Sequence, residues 1–317
     1  MNALVLGCAY AVDVIAGDPE WLPHPVRLMG RMIAAGEAMA TPGRHSPGRD
    51  LVQGAVLTMA VVAVTAAAAV VVLVIARRLY PGVALVTEVL LAWTVLATGS
   101  LLTEARRVIH ALEDNDLPSA RAQLARIVGR DTATLTESDV ARGVIETLAE
   151  STCDGIVAPL CFLVAGGVPA ALAYKAVNTL DSMIGHRERP YTYFGRVAAR
   201  VDDVVNFIPA RLSALAIAVA AACLGKNATG ALRVWRRDHA DHDSPNAGHP
   251  EAAMAGALGV CLGGTNDYDG VPVVKPLLGI DGTAPTIAAA RAACRLVAVA
   301  SLVSAVAALL VEVAWHS

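Results

Sequence analysis

Hydrophobic positions along the chain fall in long blocks rather than in the short amphipathic repeats of a soluble bundle. Residues 51–76 carry no charge and end at Arg77 and Arg78, a length sufficient to cross a hydrocarbon core that takes about 20 apolar residues. After the turn signal "PG" at 81–82, residues 83–103 form a second block with Glu88 inside it, so the pair reads as a transmembrane hairpin. Residues 296–315 make another block, interrupted by Glu312 near its end. The stretch 2–16 lacks a basic start and carries Asp13, which predicts a retained membrane helix rather than a signal peptide. Two further blocks are irregular: 155–173 contains Pro159, Gly166, Gly167 and Pro169, and 207–224 begins with Pro209 and Arg211. These predict weak spans, re-entrant segments or buried helices. The expected architecture is all-α: a polytopic membrane protein, one integral-membrane domain over 1–317, with about four to six embedded segments.

Composition supports a bilayer as solvent. Of 317 residues 56% are hydrophobic and 17% charged, and the mean hydropathy is +0.55, well above an ordinary soluble domain. The net charge of −3 gives no general attraction to nucleic acid. Six cysteines show no CxxC or metal-ligand spacing and read as small buried hydrophobes. Only Lys175, Lys226 and Lys275 are lysines. Scarcity makes Lys175 and Lys275 worth testing as phosphate neutralisers, although each also reads as a surface residue.

Polar stretches rich in Asp, Glu, Asn, Arg and Gly occupy 17–50, 104–154, 174–206 and 225–295. If 155–173 and 207–224 both stop short of crossing, all four share one side and can build one site. That is the preferred topology. In "VIETLAESTCDG" Glu146, Glu150 and Asp154 recur every four residues, on one helical face that Asp139 and Arg142 continue backwards. Like charges at that spacing repel, and unpaired carboxylates next to an apolar block are costly, so a cation or an arginine cluster is expected beside them. Hard carboxylate oxygens suit Mg²⁺ bridging a nucleotide phosphate. The theme recurs: "YKAVNTLDSMIG" spaces Lys175, Asn178 and Asp181 by three, and "ARVDDVVNFIPAR" sets Asp202, Asp203, Asn206 and Arg211 before another apolar block. Asp18 and His24 in "GDPEWLPHPV", and Arg130 and Asp131 in "VGRDT", sit in turn-like stretches where caps and turns are the competing reading. His239 and His242 among Asp238, Asp241 and Asp243 match no zinc spacing and read as a solvated loop. Ser244 and Asn246 of "SPNAG", followed by a small-residue helix and "LGGTNDYDG", offer backbone amides to phosphate or amide groups.

Absences narrow the chemistry. The chain has no GxxxxGK[ST], no GxGxxG and no GxSxG, so a nucleotide would be held outside the P-loop and Rossmann solutions, and acyl transfer through a serine nucleophile is disfavoured.

Taken in order, "GDPEWLPHPVRLMG", "VGRDT", "VIETLAESTCDGIVAPL", "AYKAVNTLDSMIGHRERPYTYFG", "ARVDDVVNFIPARLSA", "DSPNAGHPEAAMAGALGVCLGG" and "YDG" resemble the membrane-bound cobalamin-biosynthesis family called CobD or CbiB, adenosylcobinamide-phosphate synthase. One departure is visible: the family usually reads "AEN" where this chain has Ala149, Glu150 and Ser151. The resemblance implies ATP-dependent amide ligation of the adenosylcobyric acid propionate carboxylate to (R)-1-aminopropan-2-ol or its O-phosphate, with ATP as co-substrate and Mg²⁺. On that basis Glu146, Glu150, Asp154, Asp181, Asp202 and Asp203 would hold Mg²⁺ and triphosphate, with one carboxylate left to deprotonate the amine. Glu150, Asp154, Asp181 and Asp202 would be the metal ligands. Lys175, Arg211 and Lys275 would contact phosphates, and Asn178, Asn206, Ser244 and Asn246 would orient substrate amides. Asp18, His24, Arg130, Asp131 and Tyr268 complete the binding candidates. The implied location is the bacterial cytoplasmic membrane with the active face towards ATP in the cytoplasm, in association with other late-pathway membrane enzymes.

Three other readings compete. A transporter of a corrinoid or other small molecule would use intramembrane acids and broken helices, but here the acids stand at segment ends and in long polar stretches, with no matching halves. A membrane phosphoalcohol transferase would need Asp where Ser151 stands. A structural membrane subunit leaves the repeated Asp and Asn spacings unexplained.

Overall fold

A computed structural model of the chain describes residues 2–19, 24–186, 188, 190–268 and 270–316. Parts of three sequence signatures fall outside these: Glu20 to Pro23, Arg187 with Arg189, and Asp269. The described chain is almost entirely helical. It runs α1 (Ala3–Ala16), α2 (Pro25–Ala40), α3 (Pro47–Leu79), α4 (Pro81–Trp93), α5 (Thr98–Glu113), α6 (Leu117–Leu124) and α7 (Glu137–Thr152). A π-helical turn over Cys153–Val157 leads into α8 (Ala158–Ile184), α9 (Tyr191–Phe194), α10 (Arg196–Val205), α11 (Phe207–Cys223), α12 (Ala228–Asp238) and α13 (Gly248–Leu258). A hairpin of β1 (Leu262–Tyr268) and β2 (Val271–Leu278) precedes α14 (Ile287–His316).

The chain packs as two compact units. Met1–Leu96, Ala158–Asn206 and Ala308–Ser317 form the first, and Ala97–Val157 with Phe207–Ala307 the second. In the first, α3 packs against α8, α4 and α2. Helices α2, α3 and α4 each open on a proline, a position where the missing N–H costs nothing and φ is already helical. Helix α3 buries Val61, Ala69, Leu73 and Ala76 on one side while Val56, Met59, Val70 and Val72 stay exposed on the other, the surface a bilayer accepts and water does not.

Among the described residues four helical stretches are long and apolar enough to cross a membrane: Pro47–Leu79, Pro81–Glu113, Glu137–Ile184 and Ile287–Trp315. A fifth arises if α10 and α11, bent by 50° at their junction, count as one span, and α1 is a shorter apolar helix. The expected blocks 51–76, 83–103 and 296–315 each lie inside one of these. The irregular block 155–173 belongs to the third stretch, which is longer than expected, and 207–224 to the bent pair.

The break expected near the glycines is present. Gly166 (φ −154°, ψ 18°) and Gly167 (φ 65°, ψ −162°) leave the helical region. Pro159 breaks nothing. A proline has no N–H for the carbonyl four residues back, and the π turn relieves that position: the Gly155 carbonyl accepts from Ala97 N–H at 3.0 Å instead. A π bulge of this kind is how a long helix absorbs one disturbed hydrogen bond without ending.

In the second unit α13 is packed between α11 and α12 and also meets α7, while α5 lies against α6 and α7. The antiparallel hairpin was not announced by the hydrophobic pattern. Its first strand is rich in Gly, Asn and Asp, residues with weak strand preference, and a register shift falls between Leu262 and Gly264. Gly263 and Gly264 both have φ near +85° (85° and 87°), a conformation that favours glycine. An isolated two-stranded hairpin is marginal in water. What pins this one is a set of side chains from α7 and from the loop before it.

Candidate functional site

Helix α7 is started by a capping box: Asp139 N–H donates to Thr136 Oγ at 3.3 Å and the Asp139 carboxylate accepts Thr136 N–H at 3.1 Å. That sets the phase in which Asp139, Arg142, Glu146 and Glu150 share one face. Arg142 pairs with Asp139 at 3.2 Å and reaches the hairpin, donating to the Gly263 and Thr265 carbonyls and to Asn266 Oδ1 at 3.1 Å. Gly263 N–H donates in turn to Glu146 Oε1 at 2.9 Å.

Arg130, from the "VGRDT" loop, lies buried across the same face. Its Nη1 donates to Glu146 Oε2 at 2.7 Å and to Asn266 Oδ1 at 2.6 Å. The approach depends on Gly143, since a Cβ there would stand 2.5 Å from Arg130 Nη2. Asp131 is a hairpin latch: its N–H donates to the Asp267 carbonyl and its Oδ2 accepts Gly270 N–H, both at 2.8 Å. The positive charge beside Glu146 is therefore an arginine pair. Removing one partner from such a buried pair costs about 3–5 kcal/mol, because the other charge is left desolvated.

Around this pair the second unit gathers three more ionisable groups. Glu251, on the small-residue helix α13, is buried. Burial, followed by the charges of Glu146 and Glu150, holds its carboxyl well above the usual carboxylate range. His242 Nε2 stands 3.6 Å from Glu251 Oε1, with both side chains buried. Ser244 N–H donates to His242 Nδ1 at 2.9 Å, which leaves the ring proton of neutral His242 on Nε2, facing Glu251. Burial and the Lys275 charge lower the His242 pKa. Lys275, in β2, is raised despite its burial by Tyr268, Glu251, Glu150 and Glu146. The result is a lysine and two arginines beside Glu146 and Glu150, with an acid of raised proton affinity in their midst.

The remaining candidates divide between the units. In the second, Ser244 Oγ accepts from Asn246 and Ala247 N–H at 3.3 and 3.2 Å, which is a turn role, and Asn246 is buried. Arg211 folds back over its own Phe207 ring, 3.5 Å from the centroid. Asp154 lies half-buried in the π turn. In the first unit, Lys175, Asn178 and Asp181 stand half-buried on α8. Asn206 joins Asp202 Oδ2 at 2.9 Å to the Tyr174 hydroxyl at 3.0 Å. Asp203 pairs with Arg200 at 3.5 Å. His24 Nε2 lies 3.0 Å from Asp18, while its Nδ1 caps α2 by accepting Val26 N–H. Among the described residues no three His, Cys, Asp or Glu side chains converge to hold a metal ion.

Sequence reading passed over Glu251, Asn266 and the inward role of Arg142. It also read His242 as solvated, whereas the side chain is 8% exposed, because α13 and the hairpin close over the loop. A signal for Glu251 existed: it is the one acid within the small-residue run "HPEAAMAGAL", where an ionisable group is expensive.

Comparison with known proteins decides the family. The family model described as CobD/Cbib protein matches residues 6–297. The chain belongs to the CobD/CbiB family. Relatives of that family include "Cobalamin biosynthesis protein CobD" of Geobacter metallireducens, 49% identical over 88% of this chain and 86% of the relative. Its Klebsiella pneumoniae namesake is 44% identical over 88% of both, and "Cobalamin biosynthesis protein CbiB" of Salmonella paratyphi B is 45% identical over 88% of both. No solved structure matches the chain. The CobD/CbiB match takes in α7, the loop before it, α13 and the hairpin, so the whole charged cluster lies within the family region.

Proposed function

We propose that this chain is a membrane enzyme of cobalamin biosynthesis that uses ATP to join a corrinoid propionate carboxylate to (R)-1-aminopropan-2-ol or its O-phosphate. The observation that carries the reading is the cluster of Lys275, Arg130 and Arg142 against Glu146, Glu150 and Glu251, inside a family whose named relatives are cobalamin biosynthesis proteins.

A carboxylate resists attack by an amine at neutral pH. Attack of its oxygen on the γ-phosphorus of ATP would release ADP and leave an acyl phosphate. The amine nitrogen then attacks the acyl carbon, phosphate departs with the electrons of the C–O bond, and the nitrogen gives up a proton. Positioning and charge neutralisation are the protein's share in such phosphoryl chemistry. Lys275 is the side chain suited to the transferring phosphate, with Arg130 fixed by Glu146 behind it. Glu150, exposed at the edge of the cluster, is the carboxylate suited to take the amine proton. Glu251, whose burial favours its protonated form, would in that form add no negative charge beside the phosphates and donate a hydrogen bond. Mg²⁺ usually binds through one or two carboxylates plus substrate phosphates. Asp154, four residues further along, would supply that donor type, and bound Mg²⁺ would neutralise phosphate charge. A cytoplasmic site follows from ATP as the co-substrate.

The test is conversion of adenosylcobyric acid plus aminopropanol phosphate by the detergent-purified chain, followed by mass, with ATP and Mg²⁺ present or withheld. Lys275→Gln and Glu150→Gln should each lower turnover by 10²-fold or so, the usual scale for one positioned acid-base or charge-stabilising group. ATP-independent uptake of corrinoid by proteoliposomes, with no amide formed, would replace this reading with a transporter.

A further inference from the structure

A second concentration of positive charge lies in the same unit but takes no part in the cluster above. A pocket of about 490 Å³ is lined by Arg106, His110 and Glu113 of α5 and by Arg291 and Arg295 of α14, with Ile109, Cys294 and Ala298 as its apolar floor. Glu113 is committed: it accepts from Arg291 and stands 3.3 Å from His110. Arg106 and Arg295 have no acidic partner among the described residues. Three arginines against one carboxylate leave a surplus of two positive charges among these side chains.

Its place along the two helices says what kind of anion it meets. The apolar block 83–103 ends three residues before Arg106, and the block 296–315 begins immediately after Arg295. Arg106 and Arg295 therefore each stand within one turn of an apolar block, with Arg291 one turn further out, at the depth of lipid headgroups. The floor beneath them is hydrocarbon-like. A basic pocket between membrane helices at this depth fits an anionic lipid headgroup above an acyl chain, and arginine forks match phosphate oxygens in pairs.

We infer that the pocket between α5 and α14 is a binding site for an anionic membrane phospholipid, with Arg106 and Arg295 as its phosphate contacts and Arg291, fixed by Glu113, as the third wall. The lipid would tie the ends of two spans together.

The full chain, purified in a neutral detergent, is titrated with phosphatidylglycerol or phosphatidylcholine of the same acyl chains, and bound lipid is counted by native mass spectrometry. Wild type should hold phosphatidylglycerol well above phosphatidylcholine. A basic residue near an anionic surface is worth about fivefold in affinity, so the Arg106→Gln/Arg295→Gln double variant should bind phosphatidylglycerol ~30-fold more weakly. Arg106→Lys/Arg295→Lys should keep most of the affinity, which separates loss of charge from loss of fold. Equal affinity of wild type for the two lipids would overturn the inference, as would undiminished phosphatidylglycerol binding in the glutamine variant. Displacement of the lipid by millimolar inorganic phosphate or ADP would reassign the pocket to a soluble anion.

Discussion

Glu251 is the point at which the charged cluster is open to a quantitative test. Its carboxyl is buried in α13, and the charges of Glu146 and Glu150 push its proton affinity up further. In the unfolded chain the same group titrates at its ordinary value of 4.5. The folded state thus binds a proton that the unfolded state has released. Stability is full below pH 4.5 and is lost as pH rises from there towards the raised folded pKa. The slope is about 1.4 kcal/mol per pH unit. Glu251→Gln keeps the shape and the donor while removing the proton, so its stability should lack that slope. Relative to wild type it should gain ~1.4 kcal/mol per unit across the window, or about 2 °C in melting temperature for each kcal/mol in a chain of this size. Melting in detergent at one heating rate, at pH 5, 6, 7 and 8, measures it. A constant offset between the two proteins over those four values would refute the buried, protonated acid. If Glu251 serves only to stay uncharged beside phosphate, Glu251→Gln should also retain more turnover than Glu251→Asp, which restores an ionisable group on a shorter arm.

Two more outcomes follow from the same region. Gly143→Ala puts a methyl 2.5 Å from Arg130 Nη2 and 3.0 Å from Leu124 Cδ2. Overpacking of ~1–3 kcal/mol should exceed the ~1 kcal/mol gained by removing a helix glycine, and turnover should fall with it because Arg130 must leave Glu146. An unchanged melting point and rate would show that Arg130 is not held there. His249 accepts from Trp235 Nε1 at 2.7 Å and stacks on His239, ring centroids 4.4 Å apart. Burial first, then the Arg211 and His239 charges, depress its pKa to about 4 from 6.5. The unfolded chain protonates it first, so stability should fall on acidification from pH 6.5 towards 4. His249→Asn, which keeps an acceptor for Trp235, should flatten that fall in a melt series over the same range.

Legibility differed by element. Helices α3 and α14 and the α4–α5 stretch were readable because bilayer-length apolar runs and their flanking charges are local properties of a sequence. The break at Gly166–Gly167 was readable for the same reason. Pro159 was not: whether a proline ends a helix depends on who takes the carbonyl it abandons, and Ala97, 58 positions before Gly155 along the chain, does so here. The hairpin went unread because its first strand has little intrinsic strand preference and its second is interrupted by Pro272 and Pro276. Arg142, Glu146 and Asp131 hold it in place from outside.

For the site, spacing alone put Glu146 and Glu150 on one face and required a cation beside them, since like charges at a helical repeat must be compensated near an apolar run. The ordered motifs placed the chain in its family. Only the tertiary structure decided which cations answer: Arg130 and Arg142 from nearby in the chain, and Lys275 from across the hairpin. It alone showed that Glu251 and His242 are buried with them, because burial depends on what packs over a residue, and a single line of sequence does not contain that.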